Sequence, residues 1–120
     1  MPFLKDLVPE DQHKRWETTF LSLGAPGSGV YWHSHGSAVN YAIHGRKMWW
    51  LMPPGMYYGP MFGSIECWCA EYADKMVVPP LVFVQYPGEL VYVPAGWAHM
   101  TMAIDEVVAF ATQIDPSPSW

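Results

Sequence analysis

Charge is scarce in this chain. Asp, Glu, Lys and Arg make up 14% of its 120 residues, well under the roughly 25% of an average soluble domain. Six residues are Lys or Arg against eleven Asp or Glu, for a net charge of −5. No basic run exists, so a surface that tracks nucleic-acid phosphates is disfavoured. Cysteine is nearly absent. Cys67 and Cys69 are the only two, and a one-residue gap suits neither a disulfide nor a C-x-x-C pair. They read as buried thiols. No apolar run approaches the ~20 residues of a membrane helix. The segment Met1 to Asp11 carries charges and prolines but no apolar signal-peptide core. These absences argue against a membrane partner and favour an intracellular location.

Apolar residues, by contrast, reach 51% and aromatics 16%, which excludes disorder of the whole chain. The length fits one domain, with roughly two-thirds of the unfolded surface buried. So little charge implies apolar surface that a partner or further sequence covers. Twelve prolines and ten glycines cut the chain into short pieces, as an all-β fold requires. Strands are expected at Glu17–Leu23, Val30–His35, Ala38–His44, Lys47–Met52, Leu81–Tyr86, Glu89–Val93, Ala98–Ile104 and Val107–Ile114. Eight short strands imply a closed barrel or a two-sheet jelly roll. The strand rhythm breaks over about 55–80, read as an insertion. Within it Ser64 to Met76 suits a short helix, with Ser64 as N-cap and Ile65, Trp68 and Tyr72 on one side. The expected organisation is a leader over 1–16 with a helical turn at Asp11–Trp16, a barrel over 17–115, and a tail over 116–120. The tail ends abruptly, as a piece of a longer protein would.

Three of the five histidines form a pattern. His33 and His35 lie two apart on an expected strand, so alternation puts both imidazoles on one face. A third ligand must come from another strand, and His99 follows the Pro94-Ala95-Gly96 turn. Imidazole suits iron, zinc, copper and nickel, so the trio does not name the metal. His44 reads as a rim residue and His13 as solvated. Alternation places Lys47 with Trp49 and Leu51 on an apolar face, hence inward. Trp49, Trp50, Trp68 and Trp97 read as core, and Met48, Met52, Met56 and Met61 as packing.

The frames around the histidines are specific. Gly27, five residues, then His33-Ser34-His35 resembles the first cupin motif. Gly88, five residues, Pro94-Ala95-Gly96, two residues, then His99 resembles the second. Asn40 stands near the usual Glu ligand of the first motif, and Ala103 replaces the Asn that usually closes the second. Further stretches resemble JmjC domains. These are Asn40 with Gly45-Arg46-Lys47-Met48-Trp49 and Pro53-Pro54, then Gln85-Tyr86-Pro87-Gly88-Glu89, then Pro94-Ala95-Gly96-Trp97-Ala98-His99. The resemblance covers about residues 20–114 and is closest to small hydroxylase-type JmjC proteins.

That resemblance implies a double-stranded β-helix, the cupin jelly roll. It also implies an oxygenase using iron(II) and 2-oxoglutarate to hydroxylate a side chain of a protein or peptide substrate. His33 and His99 match its metal-binding histidines. His35 occupies the place of its usual Asp or Glu, as in a His-x-His variant, giving a ligand set of His33, His35 and His99. Lys47 matches the residue that pairs with the distal carboxylate of 2-oxoglutarate. Asn40 matches a polar contact to the cosubstrate, as does Thr112 across a one-residue gap. Trp49 and Tyr41 would shape the wall. Alternatives stay open: a three-histidine cupin dioxygenase without 2-oxoglutarate, a non-enzymatic metal-binding interaction domain, and a histone demethylase. Substrate and oligomeric state are left open.

Overall fold

The computed structural model describes residues 19–114. The leader over 1–16, with its expected turn at Asp11–Trp16, and the tail over 116–120 lie outside them. Eight strands appear: β1 Thr19–Gly24, β2 Gly29–His33, β3 Ala38–His44, β4 Lys47–Met52, β5 Leu81–Gln85, β6 Leu90–Val93, β7 Ala98–Ala103 and β8 Val107–Gln113. Each starts within two residues of its expected place. One helix, α1 (Ile65–Glu71), falls between β4 and β5. The Ser64 hydroxyl caps it, accepting from the Cys67 N–H at 3.1 Å. It is shorter than Ser64–Met76 because its last turn closes at Tyr72, whose N–H donates to the Trp68 carbonyl.

The strands form two four-stranded sheets, ordered β1-β8-β3-β6 and β2-β7-β4-β5. Every pairing is antiparallel. This is the double-stranded β-helix, and its two-layer closure limits exposed edges.

Alternation along β4 divides its side chains between two cores. Trp49 and Leu51 face the other sheet and pack with Val91 and Val93 of β6. Trp50 and Met52 face outward and join Trp32, Met100 and Trp68. Helix α1 therefore covers the outer face of the second sheet, with Ile65 and Tyr72 packed against the same cluster. Trp68, at 1% exposure, is the helix's one fully buried anchor. Trp68→Ala is expected to cost about 3–5 kcal/mol. Urea denaturation checks this, and a shift under about 1 kcal/mol would mean that α1 does not seal this face.

Several side chains depart from expectation. Cys67 and Cys69 are exposed, because α1 turns Trp68 rather than its neighbours inward. Met61 is 69% exposed, whereas Met48, Met52 and Met56 do pack. Trp97 is only half-buried, at the margin of the inner core. Phe20, Leu21 and Leu23 on edge strand β1 are exposed, and none of the described residues covers them.

Two glycines position the site. A Cβ on Gly29 would meet the Thr101 carbonyl oxygen at 1.9 Å, so only glycine lets β2 approach β7 this closely. The β2–β7 register then shifts between Val30 and His33, which sets His33 directly opposite His99. Gly96 has a φ of 81°, a left-handed conformation that glycine adopts without a steric penalty. Its N–H donates to the His35 carbonyl at 3.0 Å.

Candidate metal centre

His33 ends β2, His35 stands two residues further on, and His99 is the second residue of β7. Their ring centroids lie 4.0 Å apart for His33–His99, 4.7 Å for His35–His99 and 5.4 Å for His33–His35. The possible ligand atoms all lie within 4.8 Å of one another. The turn before β7 is fastened to the His35 segment by the Gly96–His35 bond. The Ala95 N–H also donates to the Ser37 hydroxyl at 3.1 Å.

Each imidazole is oriented by a backbone carbonyl. Nδ1 of His33 bonds the Tyr31 oxygen at 2.7 Å, that of His35 the Gly36 oxygen at 2.7 Å, and that of His99 the Trp97 oxygen at 3.1 Å. A carbonyl only accepts, so Nδ1 carries the proton in all three rings. In a neutral ring the lone pair then sits on Nε2. This outer support fixes the tautomer and ring direction of metal-binding histidines. Burial, aided by the neighbouring imidazoles, lowers the pKa of His99 to about 4. Burial also lowers that of His33, with His35 adding to the effect. Both rings are therefore held neutral, the form that coordinates metal. The donor set suits a divalent ion of the iron, zinc, copper or nickel group.

The histidines line a cavity of about 180 Å³ that also reaches Lys47, Asn40 and Trp49. It is smaller than the ~300–1,000 Å³ of sites for drug-sized ligands. Lys47 is 8% exposed and inward-facing, as alternation required. Burial lowers its pKa, and it has no carboxylate partner among the described residues. Its ammonium lies 5.9 Å from the centre of the Trp49 ring. Asn40 is buried, and its Oδ1 has no hydrogen-bond partner among the described residues. The cavity thus holds an unpaired cation and an amide with capacity to spare beside three imidazoles.

Thr112 does not line this cavity; its neighbour Ala111 does. Ala111 sits opposite Asn40, whereas Thr112 sits opposite Val39 and Thr19 and donates to the Thr19 hydroxyl at 2.7 Å. A one-residue step along a strand changes the face, so Thr112 lies on the face opposite to Ala111 and the cavity. Tyr41 is likewise outside the wall, while Trp49 is part of it. His44 is exposed at the end of β3, as expected of a rim residue.

Gln85 was not singled out from the sequence as a site residue. It is 1% exposed and opposite Lys47 across β4 and β5. Its Oε1 accepts from the Trp49 indole at 2.9 Å, and its Nε2 donates to the Asn40 and Glu89 carbonyls at 3.0 and 3.1 Å. It joins the two sheets and holds Trp49 in place. Its period-2 position with Phe83 and Leu81 was the available signal.

Known proteins resemble this chain. The family model described as "JmjC domain, hydroxylase" matches residues 66–114. The chain is 32% identical over 97 residues to mouse JmjC domain-containing protein 8, covering 77% of this chain and 35% of that one. It is 29% identical over 106 residues to the human 2-oxoglutarate and iron-dependent oxygenase JMJD4, covering 75% of this chain and 25% of that one. It spans about a third or less of the length of these relatives. Among solved structures it is similar to the Escherichia coli ribosomal oxygenase YcfD in complex with cobalt and 2-oxoglutarate. The TM-score there is 0.61 at 19% identity, over 84% of this chain and 24% of that one. That likeness supports the fold, and the first of the sequence relatives carries the JmjC domain in its name. By these matches the chain carries a JmjC domain.

Proposed function

We propose that this chain is the catalytic barrel of an iron(II)- and 2-oxoglutarate-dependent oxygenase that hydroxylates a protein side chain. One observation carries the reading. A single small cavity joins three carbonyl-oriented histidines to a buried ammonium with no carboxylate partner among the described residues. A buried lone cation is costly unless an anion reaches it. A dicarboxylate that meets the metal at one end and Lys47 at the other supplies that anion. The relatives named as 2-oxoglutarate and iron-dependent oxygenases, and the ribosomal oxygenase fold, support the cosubstrate and a protein substrate.

In this reading His33, His35 and His99 hold the metal through Nε2. Lys47 pairs with the distal carboxylate, and Asn40 offers its amide to the same ligand. Trp49, held by Gln85, forms an apolar wall that excludes water. Bound iron supplies the redox chemistry that couples decarboxylation of 2-oxoglutarate to oxidation of a C–H bond. Overall, substrate C–H, 2-oxoglutarate and dioxygen become C–OH, succinate and carbon dioxide. One oxygen atom enters the hydroxyl and the other enters succinate.

The test is an anaerobic titration of iron(II)-loaded protein with 2-oxoglutarate, read by its visible metal-to-ligand charge-transfer band. The expected result is a saturable band. Stoichiometric bound iron without a band would remove the 2-oxoglutarate mechanism.

One observation favours a second reading, a three-histidine dioxygenase independent of 2-oxoglutarate. The described donor cluster contains no carboxylate, so it lacks the charge of the usual two-histidine, one-carboxylate set. In that case turnover would survive loss of the Lys47 ammonium.

A further inference from the structure

The two sheets differ on their outer faces. Outside the second sheet, Trp50, Met52 and Met100 are buried in one cluster with Trp68 of α1. In the first sheet, Ser22, Asn40, Val93 and Ala111 line the inner cavity, so alternation turns Leu21, Tyr41, Tyr92 and Phe110 outward. Register lines up the outward side chains. Leu21 of β1 lies opposite Phe110 of β8, Phe110 opposite Tyr41 of β3, and Tyr41 opposite Leu90 of β6. One apolar row therefore crosses all four strands. Leu21 is 56% exposed and Leu90 44%, with Leu23 at 70% and Tyr92 at 52% beside them. None of the four strands contains Asp, Glu, Lys or Arg. A contiguous apolar face of this kind marks a surface that something covers.

The segment 1–18 lies outside the described residues and joins β1 at Thr19. Thr19 alternates with Leu21 and Leu23 and pairs across with Thr112, so the chain arrives beside this outer face. The segment carries Phe3, Leu4, Leu7 and Val8, three and four apart as on one side of a helix. Lys5 and Asp6 between them supply a polar side. Its reach is sufficient. Even at a helical rise its residues extend ~27 Å, against ~14 Å between the first and last of four strands.

We propose that the segment 1–18 covers the outer face of the first sheet, seating Phe3, Leu4, Leu7 and Val8 across the Leu21–Phe110–Tyr41–Leu90 row. A tethered segment acts at an effective concentration on the order of mM, so it outcompetes a second copy of the chain at micromolar levels. Copies also share a net charge of −5, which opposes their association. The uncharged face has nothing to steer a charged partner onto it. The cover also supports the cavity. Tyr41 and Phe110 adjoin Asn40 and Ala111, which line it, so a seated segment holds β3 and β8 from behind. The three histidines stand on or beside strands of the other sheet, so metal binding does not depend on the cover.

The test is photo-crosslinking in the full chain. Phe3 is replaced by its photoreactive analogue benzoylphenylalanine, and isotope-labelled and unlabelled protein are mixed and equilibrated before irradiation. Mass spectrometry of the digest identifies the crosslinked partner. The expected product joins this position to β1, β3, β6 or β8 within one chain. Products that join labelled to unlabelled chains would make a second copy the occupant and overturn the proposal. Crosslinks to α1 or the second sheet, or none to the face, overturn it as well. Leu7→Asp gives an independent readout. It should raise the fluorescence of an apolar-surface dye several-fold, while circular dichroism and metal stoichiometry stay at the wild-type level. Unchanged dye fluorescence in the folded variant also counts against the cover. If Leu7→Asp does not fold, the crosslink decides.

Discussion

His99→Ala loses stoichiometric metal binding while keeping its fold. The expected drop in affinity is at least about 100-fold, beyond the ~10–100-fold typical of losing an outer-shell partner. His99 is the most buried of the three histidines and sits directly across from His33. Removing it leaves two ligands on one short segment with no ligand from the opposite strand. The Trp97 carbonyl that oriented the ring loses one hydrogen bond, at a cost of about 1–3 kcal/mol in stability. Competition against a chelator of known affinity, alongside far-UV circular dichroism, checks both halves. Wild-type metal stoichiometry in the variant would exclude the three-histidine centre.

Lys47→Met produces a protein that is more stable without cosubstrate and binds it at least about tenfold less tightly. In the wild type the ammonium is buried without a carboxylate partner among the described residues. Methionine fills a similar volume with no charge, so a gain of roughly 1–3 kcal/mol is expected. The pH dependence has a definite sign. Burial lowers the folded-state pKa of Lys47 below its unfolded value near ~10.4. Between those two values the unfolded chain holds more protons, so wild-type stability rises with pH. The advantage of Lys47→Met is therefore full below the folded pKa and fades as the pH nears ~10.4. Urea melts at several pH values measure it. In the same variant the 2-oxoglutarate charge-transfer band should weaken by at least about tenfold, the loss of a charge-assisted contact worth ~1.5–3 kcal/mol. A variant that gains no stability would mean that the ammonium reaches solvent. An undiminished band would remove Lys47 from cosubstrate binding.

Much of this site was legible before the fold. Period-2 alternation placed Lys47 with Trp49 and Leu51, and the β4 register with β7 and β5 keeps them on the inner face. Glycine and proline punctuation located β3 and β4 to the residue. The His33, His35 and His99 grouping was legible because two histidines on one strand need a third from elsewhere. Thr112 faces away from the cavity for the same reason that Lys47 faces into it. With a period of two, a match that needs a one-residue gap lands on the opposite face. Cys67, Cys69 and Met61 failed because short apolar stretches do not say which side a helix or loop will turn to the core.

The sequence by itself determined the strands, the turns between them, the inward cation and the three candidate ligands. Each depends on local backbone rules: alternation, positive-φ turns and capping. Only the tertiary structure decided how strands far apart in the chain pair, and hence that His33 faces His99 and that Gln85 bonds Trp49. Only it showed that α1 seals the outer face of the second sheet, while that of the first lies open among the described residues. Cavities and cross-sheet contacts come from packing between elements, and no local pattern encodes the space left between them.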